Sequence, residues 1–222
     1  MTGKPRPMPP SCPTPLPRLA GALRRLPPSC GPVRLVAVDG HAGSGKSTFT
    51  ARLAEALGGA PVLRLDDLAS HDALFDWTER LRRQVLEPLS RGETARYAAY
   101  DWHERRFGPA DRPLPAAPVV LIEGVGSGRC ALRPSLAGLL WMDLPEDTSW
   151  ARGRRRDGPA QSAFWDGWEA AERRHFAEDP SRRRAHLLVR ELPEGYEVLP
   201  GPAEGATGPQ IVTQGEGPSA AR

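Results

Sequence analysis

The stretch 33–57, VRLVAVDGHAGSGKSTFTARLAEAL, constrains this chain more than any other part of it. Val33, Leu35, Val36, Ala37 and Val38 form an apolar run of strand length, and past a glycine-rich turn Phe49, Leu53, Ala56 and Leu57 recur at helical spacing. Between them Gly40, His41, Ala42, Gly43, Ser44, Gly45, Lys46 and Ser47 fit G-x-x-x-x-G-K-[ST], a phosphate-cradling loop expected between a strand and a helix. Gly40, Gly43 and Gly45 free the backbone from Cβ clashes, so successive N–H groups can converge on one anion. The helix beginning there adds unpaired donors and a positive dipole end. Lys46 then reaches the outer phosphates as a point charge, the Ser47 hydroxyl is placed for Mg²⁺, and Thr48 completes the loop. The chain has only two lysines, Lys4 and Lys46, and uses arginine for every other cation. Lysine survives where a compact ammonium is wanted and a planar fork does not substitute.

At 222 residues, 39% of them hydrophobic, the chain is long enough for one α/β domain with tails, and its net charge of +3 names no partner. Residues 1–15 carry six prolines and read as an extended, disordered arm, with a ligand for a proline-binding partner as the sharper alternative. Leu16, Leu19, Leu23 and Leu26 predict a leading helix that Pro27 and Pro28 stop, so the domain is expected over 16–200 and a disordered tail over 201–222. Cys12, Cys30 and Cys130 share no metal-ligand spacing and fit reduced thiols. Without a signal-peptide pattern or a membrane-length apolar run, a cytoplasmic protein is expected.

Further strands are read at 61–65, 119–123, 139–144 and 185–189, separated by helical segments such as 74–89, which indicates a parallel sheet covered on both faces. Asp66 and Asp67 follow the second strand, where ligands bind in open α/β sheets; a carboxylate there can take a proton from a hydroxyl or hold a water on Mg²⁺. Helix capping is the plainer alternative for the pair. Glu123, ending a buried strand, occupies the usual Mg²⁺ or water-orienting position, with capping again the alternative. Segment 91–107 mixes Tyr97, Tyr100, Trp102 and Phe107 with charges, as a site stacking on a flat ligand would, or as an amphipathic helix covering the core would. Arg152 and Arg156 share a helical face that could close over a polyphosphate; a solvated basic face, or one binding nucleic acid loosely, is the alternative.

The order VAVDGHAGSGKST, LDDL, YDW, LIEGV and RGRRRD resembles the uridine kinase and phosphoribulokinase branch of P-loop kinases over about residues 33–190. The resemblance implies a P-loop NTPase three-layer α/β/α fold, a five-stranded parallel sheet with the P-loop strand at its centre, and a short Arg-rich lid. It implies ATP and Mg²⁺ as cofactors, held by residues 40–48, with Ser47, Asp66 and Glu123 as the metal-side groups. Lys46, Asp66, Arg152 and Arg156 become the catalytic set, and Asp67, Tyr100 and Asp101 the acceptor contacts. The chain departs from the pattern at Ala69, where an aromatic is usual, and at Gly158-Pro159, where further lid arginines belong. The partner implied is a small-molecule phosphoryl acceptor, a nucleoside or nucleotide, with no membrane or nucleic acid and with self-association left open. A P-loop protein that binds ATP without transferring phosphate is the rival reading.

Overall fold

A computed structural model describes residues 13–203, so the Pro-rich arm up to Cys12 and the tail from 204 onward lie outside it. Six strands form the central sheet, in the order β10 (Gly195–Pro200), β9 (Leu187–Leu192), β8 (Gly138–Met142), β1 (Arg34–Asp39), β7 (Val119–Glu123) and β2 (Val62–Arg64). The P-loop strand β1 lies between β7 and β8, parallel to both. Parallel outer neighbours β2 and β9 complete the five expected strands, with the P-loop strand at their centre. The sixth, β10, is an antiparallel edge strand and corrects the expectation of five. It lies ahead of the tail expected from 201, in a stretch that Pro193 and Gly195 mark as turn-rich, yet Tyr196 and Val198 are buried on either side of Glu197 with the period of a strand. Thr14 covers its outer side, donating its N–H to Tyr196 O at 2.7 Å and accepting from Val198 N at 3.1 Å through Oγ1.

The alternation that builds a doubly covered sheet runs through every central strand. Val36, Val38 and Leu121 pack with Leu19 and Leu23 of α1 (Leu16–Arg24) and with Phe49 and Leu53 of α2 (Lys46–Ala56). Leu35, Val120 and Ile122 face the other way, onto Trp77, Leu81, Val85 and Leu89. Leu53 has no exposed surface, so its truncation to alanine costs roughly 2–5 kcal/mol.

The helix expected over 74–89 begins at Thr78. The residues before it turn back, Ser70 and Ala73 exchanging backbone bonds, and deliver Leu74 and Phe75 to a separate cluster with Trp150, Trp165 and Trp168. α3 (Thr78–Leu81) passes through a π-wound turn, Arg82–Leu86, into α4 (Glu87–Ser90). Pro88 has no N–H to return to the carbonyl four residues back, and a widened turn before it avoids the clash of its ring. Segment 95–114 is a two-part hairpin: β3 (Ala95–Tyr97) pairs with β6 (Arg112–Leu114), and β4 (Tyr100–Asp101) with β5 (Arg106–Phe107). Tyr97, Tyr100 and Phe107 therefore ride on strands and Trp102 on the turn after β4, and within β3 Ala95 and Tyr97 are buried and Arg96 is exposed. Between β8 and β9 come α5 (Glu146–Asp157) and α6 (Ser162–Glu178), joined through Gly158 at φ 77° and a short turn, Pro159–Gln161.

Candidate active site

The loop after β1 takes the backbone its glycines permit, with φ of 144°, 84° and 92° at Gly40, Gly43 and Gly45. At Gly43 a close approach adds to the demand: a Cβ there would lie 2.0 Å from Ser149 O, so α5 rests directly on the loop. Helix α2 starts at Lys46 behind its N-cap Gly45, with no side chain capping its first turn and no acid within it. Its free donors and positive end open into a cleft of about 760 Å³ lined by Gly45, Lys46, Ser47 and Thr48 on this side. Lys46 Nζ donates to Gly40 O at 3.0 Å and His41 O at 2.9 Å, which holds the ammonium inside the loop.

Two of the expected carboxylates meet this loop. Glu123, only 4% exposed, accepts the Ser47 hydroxyl at 2.9 Å, and Arg64 stands 3.8 Å away. Burial pushes its carboxyl above the ordinary range, Lys46 opposes the shift, and the charge of Asp66 adds to it. Asp66, in a short helical turn after β2, lines the same cleft. Its surface is open because it faces that cleft, yet enough protein surrounds it for desolvation to raise its pKa, against the pull of Lys46 and Arg156. Ser47, Asp66 and Glu123 offer one hydroxyl and two carboxylates, and among the described residues no group of three or more His, Cys, Asp or Glu forms a metal cluster. That sparse set, beside an uncapped helix start, fits a Mg²⁺ ion that keeps much of its water and is shared with substrate phosphates.

From the far side come Arg152 and Arg156, one turn apart on α5 as their spacing predicts. Arg152 is paired with Glu191 at 2.8 Å, and Arg156 grips Asp157 through two bonds of 2.6 and 3.0 Å. The expected acceptor contacts lie elsewhere: none of Asp67, Tyr100 and Asp101 lines the cleft. Asp67 accepts from Tyr97 Oη at 2.9 Å and Arg112 at 3.0 Å. Tyr100 is buried with its hydroxyl 2.9 Å from His71 Nδ1, and Asp101 accepts the N–H groups of His103 and Glu104, which lower its pKa. What reaches the cleft is the layer in front of them. His71, Trp102 and Phe164 line it with ring centroids 4.9 to 6.2 Å apart, and Trp102 Nε1 is fixed by Asp66 O at 3.0 Å.

Two buried carboxylates of this region were not singled out from the sequence. Asp39, with no exposed surface, accepts the N–H groups of Gly40, Gly126 and Gly128 at 2.7 to 2.9 Å and so ties the start of the phosphate loop to the turn after β7. Burial raises its pKa in spite of those donors. Glu172 of α6, equally buried, is bonded to His41, Ala42, Trp150 and Trp168. It sits in a charged run, AAERRHF, and the signal that sets it apart is Trp168 one helical turn before it.

A mostly parallel sheet around the P-loop strand, a P-loop running into α2 and a helix pair over the cleft make a P-loop α/β/α fold. The likenesses agree. A possible uridine kinase from Bacillus stearothermophilus superposes with a TM-score of 0.57 at 17% identity, covering 78% of this chain and 96% of that one. A candidate fructose transport system kinase from Silicibacter sp. TM1040 gives 0.55 at 22% identity, over 74% and 89% of the two chains. No protein-family model and no curated protein matches the sequence.

Proposed function

We propose that the chain, as one domain over 16–200, transfers a phosphoryl group from Mg·ATP to a hydroxyl of a small-molecule acceptor, with a nucleoside or nucleotide as the acceptor class. The observation that carries this reading is the convergence of Lys46, Ser47, Glu123 and Asp66 on one cleft, with Arg152 and Arg156 facing them. The uncapped N–H groups of α2 and the loop donors cradle the triphosphate, and Lys46 turns from the Gly40 and His41 carbonyls to a phosphate oxygen. Ser47 and Glu123, with Asp66 beside them, would hold Mg²⁺, which would supply charge neutralisation to the phosphates. Asp66, raised in pKa by its site, is a stronger base than a free aspartate and accepts the proton of the attacking hydroxyl. Arg152 and Arg156 exchange carboxylate partners for the oxygens of the moving phosphoryl group. His71, Trp102 and Phe164 offer ring faces to a flat acceptor. Among the described residues no helix is long and apolar enough to cross a membrane, and we place the reaction in the cytoplasm.

A second reading, ATP binding without transfer, draws on the position of Asp67, Tyr100 and Asp101 outside the cleft. ADP release from Mg·ATP, measured across nucleosides, nucleoside monophosphates and sugar phosphates, separates the two. On the first reading one acceptor class stimulates turnover, and both Lys46→Ala and Asp66→Asn abolish the stimulation. ATP binding through Lys46 with no stimulating acceptor would establish the second.

A further inference from the structure

His41 fills an x position of the P-loop pattern, yet its side chain turns away from the cleft. The ring is only 14% exposed and stands edge-on to Trp141, Trp150 and Phe176 at centroid distances of 5.4, 6.2 and 5.2 Å. Its Nδ1 lies 2.7 Å from Glu172 Oε1, which also accepts Trp150 Nε1 at 3.1 Å. The other carboxylate oxygen accepts the backbone N–H of Ala42 at 3.1 Å and Trp168 Nε1 at 2.7 Å. One buried carboxylate thus collects four donors: two from the phosphate loop, one from α5 and one from α6. Burial alone would push its pKa up, but the His41 bond and the charge of Lys46 lead a set of interactions that holds it below the ordinary value. A charge so placed is costly unless every partner is present, which makes the arrangement of its donors specific.

We propose that Glu172 is a positioning residue that sets the shape of the phosphate loop through His41 and Ala42, and makes that shape depend on where α5 and α6 sit. The proposal deepens the nucleotide reading of the cleft and rests on it for its consequence in catalysis. Two further contacts run the same way. Gly43 has no room for a Cβ against Ser149 O of α5, and a Cβ on Gly153 of α5 would fall 2.2 Å from the Trp165 ring of α6. Loop, α5 and α6 are thus stacked without slack, and Glu172 is the polar pin through the stack. The carbonyl of His41 in turn receives Lys46 Nζ, so a loop released from Glu172 also loses a fixed rest position for the lysine.

Glu172→Gln keeps the shape and one acceptor oxygen but turns an NH₂ toward two of the four donors. Hydrogen–deuterium exchange on the purified full chain, without nucleotide, is expected to show amides in 40–47 exchanging on the order of tenfold faster, with β1 and β7 unchanged. The KM for ATP is expected to rise about tenfold while kcat changes less. Unchanged exchange in 40–47 overturns the proposal, and so does an equal rise in β1 and β7, which is the mark of a merely structural role. Should Glu172→Gln fail to fold, Trp168→Phe decides the matter, since it removes the indole N–H that orients the carboxylate oxygen bonded to Ala42 and so loosens the hold on the loop. Faster exchange confined to 40–47 supports the proposal there too, and unchanged exchange overturns it. The exchange measurement uses no nucleotide. A chain that releases no ADP with any acceptor refutes the kinase reading, and loop exchange still decides this one.

Discussion

The two ends of the cleft are built by opposite rules. At the phosphate end the ligand-facing groups are mostly backbone, held from beneath by the buried carboxylates of Asp39 and Glu172 and from above by α5. At the other end the lining consists of side chains, His71, Trp102 and Phe164, carried on a turn, a hairpin and the start of α6. A backbone cradle permits little variation because each glycine is fixed by φ and by close contact, whereas aromatic side chains can be exchanged while the main chain stays put. The phosphate end should therefore be common to many chains of this fold, and the acceptor end particular to this one.

The largest effect expected is at the phosphate end. Lys46→Ala should lower kcat/KM for ADP release on the order of 10²–10³-fold, and a loss below tenfold would remove the lysine from the chemistry. Gly43→Ala comes next, as a test of the backbone rule itself. Strain at φ 84° together with the overlap on Ser149 O should cost about 3 kcal/mol and lower the melting temperature by roughly 5–10 °C. An unchanged melting curve would mean that α5 yields easily. At the acceptor end Phe164→Ala should raise the acceptor KM about tenfold and leave the KM for ATP in place; movement of both constants would erase the distinction between the ends.

A smaller effect concerns pH. Desolvation raises Asp66 above the model-peptide value, so kcat/KM should fall with acid along a limb lying above about pH 4. In that window the folded state binds the proton more tightly than the unfolded chain does. Protonation of Asp66, Asp39 and Glu123 therefore adds stability as it removes activity. Glu172 runs the other way: its lowered pKa gives stability that is lost only as pH falls through that depressed value. Activity measured beside the unfolding midpoint should show the first decline before the second. The smallest effect is expected at Asp101→Asn, where the carboxylate caps only its own turn; ADP release should change by less than about twofold.

These differences also explain what the sequence made readable. The P-loop is a contiguous pattern whose chemistry resides in a few residues, so the glycine backbone between β1 and α2 can be read directly, and Ser47 Oγ lies 2.9 Å from Glu123. Arg152 and Arg156 share a face because helical spacing fixes it. The acceptor end has no such local rule. Tyr100 and Asp101 belong to a hairpin whose register decides which rings reach the cleft, and that register depends on β3 finding β6 far along the chain. Glu172 was hidden for a related reason, since all but one of its donors come from elements distant in sequence. β10 is hard to read among turn residues, because its two buried alternating positions, Tyr196 and Val198, make too short a signal.

The pairing of Thr14 with β10 has a consequence for synthesis. The ribosome makes Thr14 long before Tyr196 and Val198, the strand residues it bonds. Until that strand emerges, β9 presents Leu187, Leu188 and Val189 along an unpaired sheet edge, the kind that recruits other chains. The nascent protein must keep that edge apart from its neighbours while nearly all of the cleft is already made, and the edge is sealed when β10 docks between β9 and Thr14.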